Sequence, residues 1–191
     1  MESIGVGEGV DEGTGAERVR LVPWAEGDFW LLRRTNSPEM TAHLGGPEPE
    51  DALAQRHRRY VGLEAGCMYR VVSAGSEETV GSIGYWEREW RGGTVWETGW
   101  AVLPEFQGRG LAVSAARALT GVVRARRPAG GHAALHAFPD VRHAASDAVC
   151  RKAGFTLLGQ ADFEYPKGNW ITSNDWCVDL DGDAPTGAGG H

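Results

Sequence analysis

The residues with the most chemical promise lie between Glu97 and Ala112, where the chain reads Glu-Thr-Gly-Trp-Ala-Val-Leu-Pro-Glu-Phe-Gln-Gly-Arg-Gly-Leu-Ala. A strand-like run ends at Leu103, and Gln107-Gly108-Arg109-Gly110-Leu111-Ala112 opens a long segment of helical periodicity. The first turn of a helix carries backbone N–H groups without partners, and with the helix dipole they favour an anion. Glycines at 108 and 110 would let a phosphate approach the backbone, and Arg109 adds positive charge. The same glycines would equally serve a tight strand-to-helix turn. Neither Gly-x-x-x-x-Gly-Lys-Ser/Thr nor Gly-x-Gly-x-x-Gly between a strand and a helix is present.

Glu97 supplies a second kind of chemistry. Arg91-Gly92-Gly93-Thr94 reads as a hairpin turn. Taken as a four-residue loop, it pairs Trp90 with Val95 and Glu97 with Arg88, and puts Trp86 and Trp90 on the Glu97 face. Two readings follow. One is a cleft with aromatic walls and a carboxylate able to relay a proton. The other is a cross-strand Glu97–Arg88 ion pair on a half-exposed sheet. His43, His57, His132, His136 and His191 show no metal spacing, so no metal is expected, and no Gly-x-Ser-x-Gly marks a serine nucleophile.

The wider string sharpens the first motif. Gln107-x-x-Gly110-x-Ala112, after a strand ending in Leu103-Pro104-Glu105, resembles the acyl-coenzyme A loop of the GNAT superfamily of N-acyltransferases. Ser146-Asp-Ala-Val-Cys-Arg-Lys-Ala-Gly-Phe155 resembles the same family's Asn-x-x-Ser…Lys-x-Gly-Phe helix. The resemblance spans about residues 17–180. It looks closest to the branch containing enzymes that acetylate ribosomal-protein N-termini, a branch that also holds small-molecule acetyltransferases.

That resemblance implies acetyl-CoA as cosubstrate and direct acetyl transfer to a primary amine of a small molecule or a peptide N-terminus. It implies that backbone groups at Val102 and Leu103 meet the pantetheine arm. Gln107, Gly108, Arg109, Gly110, Leu111 and Ala112 would hold the pyrophosphate. The thioester would sit where the strands Val95–Leu103 and Ala133–Phe138 splay apart. Glu97 matches an acidic position of the branch and is the expected base. Ser146 matches a serine that hydrogen-bonds the coenzyme sulfur. Cys150 stands where many members carry an acidic tyrosine, and His143 stands where they carry an asparagine that contacts the coenzyme. Trp86 and Trp90 become candidate walls of the acceptor cleft. Tyr165 and Trp170 fall in a loop that commonly borders the acceptor. Similar proteins are often homodimers. Two rival functions remain: an acyl-CoA-binding regulatory module without turnover, and transfer of a larger acyl group.

Positioning these groups requires a particular order of elements. Periodicity gives a strand at Val19–Val22, helical turns after Asp28, a helix over Glu50–Glu64, and strands at Met68–Ser73, Thr79–Trp90 and Val95–Leu103. A helix over Gly108–Arg127, a strand at Ala133–Phe138, a helix over Ala144–Ala153 and strands at Phe155–Glu164 and Asp175–Leu180 follow. This is an α/β chain with a mixed, mostly antiparallel sheet of about seven strands and helices on both faces, the GNAT order. Residues 17–180 form one expected domain, between Gly- and acid-rich tails at 1–16 and 181–191 that are expected to be disordered.

Composition sets the outer limits. The 191 residues carry 19 basic and 26 acidic side chains, a net charge of −7. An acidic chain argues against a nucleic-acid binder and mildly favours a cationic acceptor. No apolar run is long enough for a membrane span, and the N-terminus lacks a secretory pattern. Cys67, Cys150 and Cys177 are too few and too scattered for a disulfide framework, which suits a reducing cytoplasm.

Overall fold

The structure is a computed structural model that describes residues 18–127, 131–164, 168 and 170–182. One sheet of seven strands organises it, in the order β1-β2-β3-β4-β5-β7-β6. The strands are β1 (Val19–Pro23), β2 (Gly66–Ser73), β3 (Thr79–Trp90), β4 (Gly93–Val102), β5 (Ala134–Ala137), β6 (Thr156–Glu164) and β7 (Trp170–Asp179). The helices are α1 (Phe29–Thr35), α2 (Glu50–Val61), α3 (Leu111–Arg126) and α4 (Ala144–Ala153). Every strand pair is antiparallel except β4 with β5.

Alternation along the strands sorts the side chains to two faces. On one, Leu111, Ala115, Leu119 and Val123 of α3 and Cys150 of α4 pack on Tyr69, Ile83, Tyr85, Leu135 and Trp176, with Trp96 and Trp100 at the margin. Burying each of these leucines contributes about 1.5–3 kcal/mol. On the other face, Leu31 and Leu32 of α1 pack with Trp24, Met68 and Leu103, and Trp86 and Phe29 border them.

Several expected boundaries move. The β3–β4 turn contains only Arg91 and Gly92, with φ of 50° and 82°, so Trp90 pairs with Gly93. Positive φ at both central residues is the hairpin turn whose twist matches the strands. Glu97 therefore lies opposite Trp86, two residues from the expected Arg88. A shift of two keeps every side chain on its face. The helix expected from Gly108 starts at Leu111, because Pro104–Phe106 forms a 3-10 turn and Gly110, at φ 77°, caps α3 in the left-handed region. β7 begins at Trp170 rather than Asp175, since β6 pairs with it along nearly its whole length. α2 stops at Val61, with Gly62 as its cap. Most of the two expected tails lies outside the described residues.

Candidate active site

The parallel pair carries the opening. β4 and β5 are in register only at Trp96–Leu135 and Glu97–His136. β4 then continues to Val102 against β3 alone. The amide of Leu103 donates to the Val80 carbonyl at 2.8 Å, toward β3. Peptide groups alternate along a strand, so those of Val102, Trp100 and Thr98 point the other way, into the gap beside β5. The result is a wedge whose apex is Glu97 and His136 and whose open side is a free strand edge.

The loop after β4 fits a diphosphate. The first α3 amide to find a helical carbonyl is that of Ser114, bonded to Gly110 at 3.0 Å. Earlier amides in that turn are the donors a helix start offers. No atom lies within 4 Å of where a Cβ on Gly108 would stand, so the approach is open. Leu111 is buried in the core and Ala112 half-buried, leaving their amides as the contribution to such a site. Arg109 bonds the Glu105 carbonyl at 2.9 Å and packs over Phe106 at the loop's edge. The Gln107 side-chain amide donates to the Val102 carbonyl at 2.9 Å. The Leu103 side chain is fully buried and its N–H is used by the sheet, while the peptide groups of Val102 and Trp100 point to the gap.

Glu97 stands at the apex on the face that α1 covers. Trp86 Nε1 donates to Glu97 Oε2 at 3.1 Å, and the Arg88 guanidinium donates to the same oxygen at 2.8 Å. Both features weighed in the sequence are thus present together, the aromatic wall and the ion pair. Trp86 leans over Gly99, where a Cβ would approach its ring to 3.1 Å. Trp90 lies on the same face and touches Phe138, with ring centroids 4.7 Å apart. Arg88 is boxed by Trp90, Phe138 and Phe163, 4.6–5.7 Å from their centroids.

The first turn of α4 stands, like that of α3, at the carboxyl end of the parallel strands, where ligands of open α/β sheets bind. Ser146 Oγ lies 3.0 Å from His143 Nδ1. His43, from the segment between α1 and α2, stacks on His143 with centroids 4.3 Å apart. Burial, and then the neighbouring His43, pull the His143 pKa down, so its imidazole is neutral near pH 7 and Nδ1 is able to accept the serine proton. Asp140 is buried beside Arg142, whose hydrogen bonds hold its carboxyl at about 2.

Two expected residues are not brought to this site. Cys150 has no exposed surface and sits in the α3–α4 core, where burial first, and Asp147 next, push its thiol up to about 12. A sealed thiol is a packing group here, and it cannot hand a proton to the cleft. Trp170 is 71% exposed at the start of β7 and shares the alternation of Asn174 and Trp176, the α4 side of the sheet. It does not line the Glu97 face. Tyr165 lies outside the described residues. Among the described residues no group of three or more His, Cys, Asp or Glu is arranged to hold a metal, and no helix is long and apolar enough to cross a membrane.

A sequence profile described as an acetyltransferase (GNAT) domain matches residues 18–156. The chain belongs to the GNAT acetyltransferase family. No curated protein sequence matches it. Among solved structures, the acetyltransferase from Salmonella typhimurium that modifies the N-terminal serine of ribosomal protein L7/L12 superposes with a TM-score of 0.69 at 19% identity, over 86% of this chain and 96% of that one. A Vibrio cholerae spermidine N-acetyltransferase in complex with CoA and spermine gives 0.68 at 15% identity, over 85% and 96%. AAC(6')-Ib with paromomycin and acetyl-CoA gives 0.67 at 18% identity, over 85% and 94%. At these identities the likeness is one of fold. Within this GNAT domain, sequence reasoning missed the buried partners of the apex, His136 and Asp175. Their spacing in the chain carries no motif, and only the position of His136 beside Glu97 on the next strand could have signalled them.

Proposed function

We propose that the protein is an acetyl-CoA-dependent N-acetyltransferase that moves an acetyl group directly to a primary amine. The observation that carries this reading is the wedge between β4 and β5, bounded by the Gly108–Ala112 loop at its mouth and Glu97 at its apex. Acetyl-CoA supplies the activated acetyl group as a thioester. The chain's part is to hold the diphosphate on amides of the α3 start and to pair the pantetheine arm with the free edge of β4 at Trp100 and Val102. Ser146 stands ready to donate its proton to the departing thiolate, with His143 as its hydrogen-bond partner.

The acceptor enters on the opposite face. Both hydrogen bonds to Glu97 fall on Oε2, which leaves Oε1 to accept from an arriving ammonium. Trp86 bonds the same carboxylate and Trp90 lies on the same face, and such aromatic surface also attracts a cation. A cationic acceptor, either a small polyamine-like or aminoglycoside-like molecule or a peptide N-terminus, suits that chemistry and the net charge of −7. The folds of enzymes for spermidine, an aminoglycoside and a ribosomal-protein N-terminus lend the same support.

An amine panel assayed for thiol release from acetyl-CoA tests the proposal. Amine-dependent release, equal to the acetylated amine formed, is the expected result. Saturable coenzyme binding with no release for any amine would make the chain a binding module. Faster turnover with succinyl-CoA or a longer acyl-CoA would assign a larger group.

A further inference from the structure

The apex contains a second carboxylate that coenzyme binding does not explain. Asp175 of β7 has no exposed surface. Its Oδ1 lies 2.7 Å from His136 Nδ1, and its Oδ2 accepts from Trp90 Nε1 at 3.1 Å and lies 3.5 Å from the Arg91 guanidinium. His136 is itself 5% exposed, with its ring parallel to Phe138 at 5.7 Å. With Nδ1 bonded to Asp175, Nε2 is the ring nitrogen left for a substrate. His136 is also the register partner of Glu97 in the last pair before β4 and β5 part. Neighbouring strands lie about 4.8 Å apart, so the two side chains flank the same point of the same face. Glu97 Oε2 already accepts from both the Arg88 guanidinium and Trp86 Nε1.

We propose that His136, held by Asp175, is the base that takes the acceptor's proton, with Glu97 binding the ammonium beside it. This rests on the acetyltransferase reading above. In the step, an N–H bond of the ammonium breaks and its proton passes to Nε2. The freed nitrogen pair forms the C–N bond, the thioester C–S bond breaks, and the nitrogen's second proton reaches the thiolate by way of Ser146 or water. His136 then returns its proton to solvent. Asp175 is a positioning residue: it fixes the tautomer with Nε2 unprotonated and steadies the imidazolium. The charged and titratable groups on the His136 face are Arg88 of β3, Glu97 of β4, and Asp175 and Cys177 of β7, with Arg91 of the turn beside Asp175. Arg88 and Glu97 cancel, and the Cys177 thiol, pushed up to about 11 chiefly by burial, adds no charge.

The test compares wild type, H136Q and D175N, using acetyl-CoA and an amine that the wild type accepts. For H136Q the expected result is a kcat lower by about a hundredfold or more, with coenzyme affinity by calorimetry unchanged. The loss should shrink as pH rises toward the amine's own pKa, and imidazole should restore part of the rate. D175N should move the same way less far and displace the pH profile. An H136Q enzyme with wild-type kcat and pH profile overturns the proposal. If H136Q fails to fold, an unaltered D175N profile overturns it, and failure of both to bind coenzyme makes the pair structural, which also overturns it. A wild type that turns over no amine removes the acetyltransferase reading and the dyad's role with it. An active wild type beside an equally active H136Q removes only the dyad.

Discussion

The two sides of the β4–β5 wedge are built on different principles. Toward the coenzyme the chain offers backbone: the free edge of β4, the left-handed Gly110 and the unpaired amides of the α3 start, over a core of Leu111, Leu119 and Val123. Toward the acceptor it offers side chains: Glu97, Arg88, Trp86, Trp90, His136 and Asp175, contributed by four strands and tied together by hydrogen bonds of 2.7–3.1 Å. Backbone recognition needs only a local conformation, so many sequences that make the turn can make the site. Side-chain recognition needs several strands in one register, and it is the part that chooses a substrate.

That contrast can be broken or sharpened by substitution, beginning with the acceptor side. Asp175→Ala should cost about 3–5 kcal/mol of folding stability in urea melts, because it strands His136, Trp90 and Arg91 around an unfilled buried position. A loss below about 1 kcal/mol would mean that the network does not hold the face together. On the coenzyme side, Gly110→Val forces a β-branched residue to φ 77° and places its side chain against the phosphate approach. Coenzyme affinity should fall at least about tenfold, or about 1.4 kcal/mol, in calorimetry of the folded variant. Unchanged affinity would remove the loop from the site. Glu97→Gln removes one charge-assisted bond to the acceptor, and should raise the amine KM by about tenfold while leaving coenzyme affinity unaltered. Equal effects on both ligands would erase the distinction between the two sides.

Two smaller effects separate packing from chemistry. Cys150→Ala should leave kcat unchanged and lower stability by about 1 kcal/mol, since the thiol is sealed in the core. A drop in kcat would return Cys150 to the mechanism. Asp140, held at about 2 by Arg142, is lower than an ordinary carboxyl. Its contribution to stability is therefore complete above about pH 4 and lost as pH falls through about 2. Asp140→Asn should flatten that part of the acid denaturation curve, and an identical curve would show that the pair contributes nothing.

The legible part of the molecule follows the same division. Gly110, Pro104 and Gly154 act within one turn of chain, so the strand–loop–helix of the coenzyme side and both α3 and α4 could be read from local spacing. The family likewise follows from those two stretches. Glu97 and its tryptophans could be placed on one face because alternation survives a two-residue error in the turn. The partner of Glu97 could not be read so simply: Arg91 takes a left-handed conformation that its side chain does not advertise, and this tightens the hairpin. Asp175 and His136 were invisible because their meeting depends on β7 pairing between β5 and β6, a contact 39 residues apart in sequence. Cys150 was misplaced for the converse reason, as position in a motif does not report which side of a helix is sealed.

The most direct test of this account is a crystal structure with a bisubstrate analogue, in which coenzyme A is joined through an acetyl bridge to a polyamine. The account predicts the diphosphate on the amides of the Gly108–Ala112 loop, the pantetheine along Trp100 and Val102, and the amine nitrogen between Glu97 Oε1 and His136 Nε2. An analogue whose amine lies on the α3–α4 side of the sheet, or whose diphosphate lies away from that loop, would contradict it.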